Sequence, residues 1–231
     1  MKKKIALLLA LTMVLCLTLA GCGKKLSVGD SLQMGKDANG DSIWWEVLAV
    51  DGDRALIISR QSVDWMLFNE TYDNVTWETS SIRNWLNDVF YNSTFTSDER
   101  AKILTSTIEN PDNPDSGVDG GRSTEDRVFL LSLYEAKEYF NREYDRRADL
   151  SSVASASARE YNPDAYVGFV AESWWTRTPG EDEFTFVCVD HDGDFESRPT
   201  GLLSDIYDYS GITVADAKDG AGVRPAMWIE R

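Results

Sequence analysis

"SLQMGKDANGDSIWWEVLAVDGDRALIISR", residues 31–60, decides the fold class. Ser31–Met34, Ile43–Val50 and Arg54–Arg60 read as strands, and "KDANGD" and "DGD" separate them. Gly, Asn and Asp in those intervals supply the positive backbone dihedrals and local side-chain bonds that tight turns need. The stretch therefore predicts a three-stranded antiparallel meander.

Downstream the apolar period changes. In "SSIRNWLNDVFYN", residues 80–92, Ile82, Trp85, Leu86, Val89 and Phe90 fall at i, i+3, i+4, i+7 and i+8. That spacing predicts one apolar stripe on a helix, capped by Ser80 or Ser81. Thr96 with Glu99, and Ser132 with Glu135, match the capping box and open two short helices. Asn110–Asp126, rich in Pro, Gly, Asp and Ser, reads as an exposed, mobile loop, and Arg142–Val170 as a second long one. Both are expected on the same side of the domain as the "SWWTRT" strand, as its ligand face. The last third returns to strands: "SWWTRT", a Pro179-Gly180 turn, "FTFVCV", the turn "DHDGD", and "GVRPAMWIE". Strands, then helices, then strands predict an α+β fold, a single domain over 31–231 with antiparallel sheets and short packed helices. The first and last strands are expected to lie together.

Outward from this domain, the N-terminus carries Lys2, Lys3 and Lys4, then an apolar run from Ile5 to Ala20. This is the layout of a secretory signal, and the run falls short of the ~20 residues of a comfortable membrane span. Leu19-Ala20-Gly21-Cys22 resembles the lipobox of bacterial lipoproteins. The resemblance implies that 1–21 is a signal peptide, that Cys22 is acylated, and that 22–30 tethers the domain to the extracytoplasmic face of a membrane. Removing 1–21 takes three lysines and no acids, so the formal charge moves from −16 to −19. Such a surface argues against nucleic acid and anionic head groups as partners. Of three cysteines, Cys16 leaves with the signal and Cys22 is acylated, so Cys188 stands alone and no intramolecular disulfide forms. The core must hold the fold, and 42% hydrophobic residues with eight tryptophans supply one.

Five segments taken together carry a family resemblance: "WWEVLAVDGDRALIIS" (44–59), "WETSSIRNWLNDVFYNSTFTSDERAKI" (77–103), "DRVFLLSLYEAKEYF" (126–140), "SWWTRTPG" (173–180) and "GVRPAMWI" (222–229). The set resembles the bacterial surface domain known as domain of unknown function six-two-seven-three, found in lipoproteins and secreted proteins. The ending "WWTRTPG … GVRPAMW" is also similar to C-type lectin-like domains of the formylglycine-generating type. That likeness implies a lectin-like fold. It does not carry the oxidase chemistry, which needs a pair of copper-holding cysteines where this chain has Cys188 alone.

Chemistry-bearing residues are few. No GxSxG, Walker loop or HExxH occurs in the sequence. Cys188 lies in an alternating strand, where a buried inert thiol is expected, although the single histidine, His191, follows three residues later. Asp190, Asp192 and Asp194 alternate and invite a calcium reading. They fail the EF-hand pattern, with Phe195 at the glycine position and Gly201 at the bidentate glutamate, and Asp192-Gly193 equally suits a hairpin. Trp174, Trp175 and Arg177 are the ligand-binding candidates, since an exposed indole beside a guanidinium can hold a sugar or peptide side chain. The competing reading is core packing with a structural ion pair. Arg224 is expected as a buried structural arginine. The expected function is a lipid-anchored, non-catalytic binding module for a glycan, peptidoglycan or protein, with calcium as the one cofactor to consider. The alternatives are a cell-envelope enzyme using carboxylates, or a scaffold lipoprotein.

Overall fold

The computed structural model describes residues 25–161, 172–201 and 220–231. Within them the strands run β1 (Ser31–Lys36), β2 (Ser42–Asp51), β3 (Arg54–Ser59), β4 (Asp64–Met66), β5 (Ser106–Ile108), β6 (Thr124–Asp126), β7 (Trp174–Pro179), β8 (Thr185–Val189), β9 (Phe195–Pro199), β10 (Ala221–Val223) and β11 (Ala226–Glu230). The helices are short: α1 (Ser81–Trp85), α2 (Tyr91–Thr94), α3 (Ser97–Arg100), α4 (Leu133–Tyr139), α5 (Glu143–Arg146) and α6 (Ser152–Tyr161). The fold is α+β, with mostly antiparallel sheets. No described helix is long and apolar enough to cross a membrane.

The predicted meander forms the first sheet, in the order β1-β2-β3-β11. The first and last strands therefore share a sheet but occupy opposite edges. The tight β2–β3 hairpin already fills the centre, which leaves β11 to pair with the free side of β3. A second sheet runs β4-β10-β7-β8-β9, and its one parallel contact joins β10 to β7 at Gly222 and Trp174. The chain crosses from the second sheet to the first at Arg224-Pro225, between β10 and β11.

Arg224 holds that crossing. Its guanidinium donates to the carbonyls of Ser59 (2.9 Å) and Arg146 (3.2 Å), and it lies 5.0 Å from the Phe140 ring and 5.2 Å from the Trp174 ring. Burial lowers its pKa to about 10, opposed by the charge of Glu46. The group remains a cation at neutral pH, held by carbonyl dipoles and ring faces.

The main helical segment departs from its predicted stripe. Ile82, Leu86 and Phe90 are buried, but Val89 is 54% exposed and Trp85 only partly covered. The cause is a π-helical turn over Leu86–Phe90, between α1 and α2. One extra residue per turn shifts the phase and rotates Val89 toward solvent. Asn87 fixes the turn, donating to the Val128 carbonyl (2.8 Å) and accepting from the Arg127 N–H (2.8 Å).

Both predicted capping boxes form, and Ser80 caps α1. Glu99 also reaches out of its own helix to accept the Gly35 N–H (2.8 Å), so the α3 cap is clamped to β1. Burial pushes the Glu99 carboxyl upward, but the N–H groups of Gly35 and Thr96 and the Thr96 hydroxyl outweigh it and hold the pKa below the usual 4.5. A depressed carboxylate contributes stability above the unfolded pKa and loses it as pH falls through the folded one. Glu99→Gln should therefore lower the melting temperature at pH 7. The gap to wild type should close below about pH 4. A gap unchanged down to pH 3 would show that the charge is not what matters.

Residues 110–126 correct the expectation of a mobile loop. Much of the segment is exposed, but Asn110, Asn113, Thr124 and Asp126 are buried and pin it down. Asn113 donates to the carbonyls of Pro179 (2.7 Å) and Gly180 (3.1 Å) at the end of β7. Asp126 accepts from the Trp77 indole (2.9 Å), the Thr124 hydroxyl (2.6 Å) and Arg83 (2.7 Å). The segment thus lies against the end of β7 through buried polar side chains that composition could not distinguish from solvated ones. The second predicted loop holds α5 and α6 in its described part, and its remainder lies outside the described residues.

Candidate functional site

The residues singled out from sequence go to three places. Trp174, Trp175 and Arg177 are at most 3% exposed, so neither the indoles nor the guanidinium are at the surface, and of the two readings the burial matches core packing with a structural ion pair. β7 is the central strand of the five-stranded sheet and every one of its residues is buried, so both of its faces are covered. The Trp174 indole donates to the Arg146 carbonyl (2.9 Å) and the Trp175 indole to the Met66 carbonyl (2.8 Å). Arg177 donates to the carbonyls of Leu130 (2.6 Å) and Glu109 (2.9 Å), to Asn110 Oδ1 (3.2 Å), and to the Glu135 carboxylate. All three are parts of the core.

Asp190, Asp192 and Asp194 form the β8–β9 hairpin turn. Asp190 Oδ1 accepts the N–H groups of Asp192 (2.9 Å) and Asp194 (2.8 Å), and Gly193 takes a φ of 93°. Among the described residues, no three His, Cys, Asp or Glu side chains gather as a metal site. Cys188 is buried, whereas the His191 side chain is 61% exposed beside Asp192. Residues 1–21 and Cys22 lie outside the described residues.

A surface feature with chemistry suited to a ligand lies elsewhere, at the end of the first sheet where β2 begins. Two small clefts lie side by side and share Asp37, Ile43 and Val63. The first, about 130 Å³, is edged by Asp41, Trp44, Gln61, Ser151 and Ser152. The second, about 170 Å³, runs past Ala38 to Trp85, Phe90 and Ser93. Each is well below the ~300–1,000 Å³ of pockets that enclose a drug-sized ligand, so a bound group would lie across them rather than sink in.

Local sequence explains how this groove is built. Successive residues of β2 alternate, so Ile43, Trp45 and Val47 face the core and Trp44 is left 48% exposed. The β1–β2 turn is shaped by Asp37, whose Oδ1 accepts the N–H groups of Asn39 and Asp41, both at 2.9 Å. Asn39 donates to the Ser152 hydroxyl (3.1 Å), tying that turn to the first residue of α6. Ser151 caps α6 by accepting the Ala154 N–H (3.1 Å) and donates to the Val63 carbonyl (3.4 Å). Gln61 lines the first cleft and makes one long bond, 3.5 Å, to the Leu150 carbonyl, which leaves most of its amide capacity available. An indole, a carboxylate, an amide and two serines therefore line one shallow surface.

Sequence reasoning passed over these residues, although one signal was legible. Adjacent tryptophans on a strand must point to opposite faces, and the chain has two such pairs, 44–45 and 174–175. Which pair exposes an indole depends on whether the outer face of its strand is covered.

A family profile described as "Domain of unknown function (DUF6273)" matches residues 52–231. Gln61, Val63, Trp85, Ser151 and Ser152 fall within the match, and the β1–β2 hairpin that supplies Asp37, Asp41 and Trp44 precedes it. No curated protein and no solved structure matches the chain. With most of its length covered by the match, the chain belongs to the family described as domain of unknown function DUF6273.

Proposed function

We propose that this protein is a lipid-anchored, extracytoplasmic bacterial surface protein whose domain binds a neutral or amine-bearing glycan in the Trp44 groove. The observation that carries the reading is the half-exposed Trp44 indole beside Asp41, Gln61, Ser151 and Ser152. A sugar ring offers an apolar face for an indole and a rim of hydroxyls for amide, hydroxyl and carboxylate partners. The strongly acidic composition, −16 over the whole chain, disfavours polyanionic glycans and tolerates amino sugars. The lipobox at Leu19–Cys22 supports the anchor. A C-type lectin-like architecture is part of the proposal, supported by the first and last strands sharing a sheet and by a long ordered segment against β7.

The test is a binding array of neutral, amino and anionic glycans and cell-wall fragments on residues 23–231, with and without calcium. Trp44→Ala should lose binding while melting within a degree or two of wild type, because its ring is half in solvent and outside the core. Retained binding by that variant would remove the groove from the proposal. Turnover of a bound glycan in the same assay would favour the enzyme reading.

A further inference from the structure

We infer that one pole of the domain, the β2–β3 hairpin with Lys25 and Arg231, rests on the phospholipid surface and holds the Trp44 groove at the opposite end, facing away from the membrane. The inference depends on the lipid anchor at Cys22 proposed above.

Three observations carry it. The segment read as a tether is not free. Asp30 N–H bonds the Ser27 carbonyl and Gly29 N–H the Val47 carbonyl, both at 2.9 Å, while the Leu26 carbonyl accepts from Arg231. Only Gly23 and Lys24 then separate Cys22 from Lys25, whose ammonium is bonded to Asp53 at 2.8 Å. Three residue steps span at most about 11 Å. The backbone of Lys25, whose side chain is paired to the hairpin tip, therefore cannot stand further than that from an acylated Cys22.

The second observation is that both ends of the described chain meet at this tip. The Arg231 N–H donates to the Asp53 carbonyl (2.9 Å) and its guanidinium to the Gly52 carbonyl (3.3 Å). Its charges are also matched locally: Lys25 pairs with Asp53 and Arg54 with Asp51. An anionic bilayer repels the acidic body of the protein, so the face that can approach it is one whose charges are already balanced.

The third is the direction of β2. It starts at Ser42, beside the groove, and ends at Asp51 in the hairpin tip. Seven residues from Trp44 to Asp51 at ~3.3 Å each place the groove roughly 20 Å beyond the tip. A short anchor on one end of this strand presents the other end outward.

The test uses the full chain, processed in its own host, extracted and reconstituted in vesicles of phosphatidylethanolamine and phosphatidylglycerol with a headgroup-nitroxide lipid. With Cys22 acylated and Cys188 buried, a thiol-reactive fluorophore reports on an introduced cysteine alone. Asp51 and Ala38 are both exposed, at the tip and beside the groove. The Asp51→Cys probe should lose most of its fluorescence to the nitroxide, and the Ala38→Cys probe should keep it. Equal quenching of the two, or stronger quenching at Ala38, in protein that floats with the vesicles would overturn the orientation and leave the anchor standing. Failure of the anchor is read separately. If Cys22 carries no acyl mass, and Cys22→Ala floats as well as wild type, the lipoprotein reading falls and the orientation with it.

Discussion

Arg177→Met should destabilise the domain by about 3–5 kcal/mol, a large share of the ~5–15 kcal/mol that holds an ordinary domain together. The size follows from what the guanidinium satisfies. It accepts nothing and donates to two backbone carbonyls, an amide oxygen and the Glu135 carboxylate, all gathered where the 106–126 segment, α4 and β7 meet. Methionine fills similar volume without a donor, so those oxygens lose their partner in a site where Arg177 itself is 3% exposed. Glu135 is 27% exposed and can rehydrate in part, which places the expected loss nearer the lower than the upper figure of that range. Arg177→Lys should recover little, because a point charge cannot reach the Leu130 and Glu109 carbonyls on separate segments at once. Thermal and denaturant melts check the magnitude. Hydrogen exchange checks the cause: residues 109–113 should lose protection first, ahead of β2 and β3. A melt within a degree or two of wild type would show that the hub is dispensable.

That hub also marks the limit of what the sequence could tell. The meander was legible because turn chemistry is local: Asp37, Gly40 and Gly52 shape the turns through their own backbone and nearest neighbours. Capping boxes were legible for the same reason, as both partners sit on one turn. Arg177 and Asn110 are 67 residues apart, and nothing near either predicts the other. The 110–126 segment was therefore read from composition as solvated, when four of its polar side chains are buried. The groove was missed on similar grounds. Trp44 and Ser152 are brought together by a hairpin and a helix distant in sequence, and alternation alone gives each Trp-Trp pair one outward ring without saying which sheet face is covered.

The second large effect concerns those tryptophans directly. Trp175→Ala should cost about 3–5 kcal/mol, since it removes a fully buried ring from a cluster that cannot close around the gap. Phe68 lies 5.5 Å from Trp175 edge-on and stacks on Phe186 at 3.6 Å, while the Trp175 indole holds the Met66 carbonyl at 2.8 Å. Losing the ring opens a cavity beside Phe68 and strands that carbonyl at the same time. Trp85→Ala is the informative contrast. Its periodicity placed it in the middle of the helical stripe, and a straight helix there would give a cost like that of Trp175. Trp85, the last residue of α1, instead stands at the wall of the second cleft, 5.3 Å from the Phe90 ring and partly in solvent. Removing it exposes the side of Phe90 and widens an existing opening rather than creating a void, for about 1–2 kcal/mol. Melting both variants beside wild type decides between the two geometries. Equal losses would mean that Trp85 is enclosed as fully as Trp175. A loss at Trp85 small enough to leave the fold intact makes that variant usable on the glycan array, where it reports whether the ligand extends from Trp44 into the second cleft.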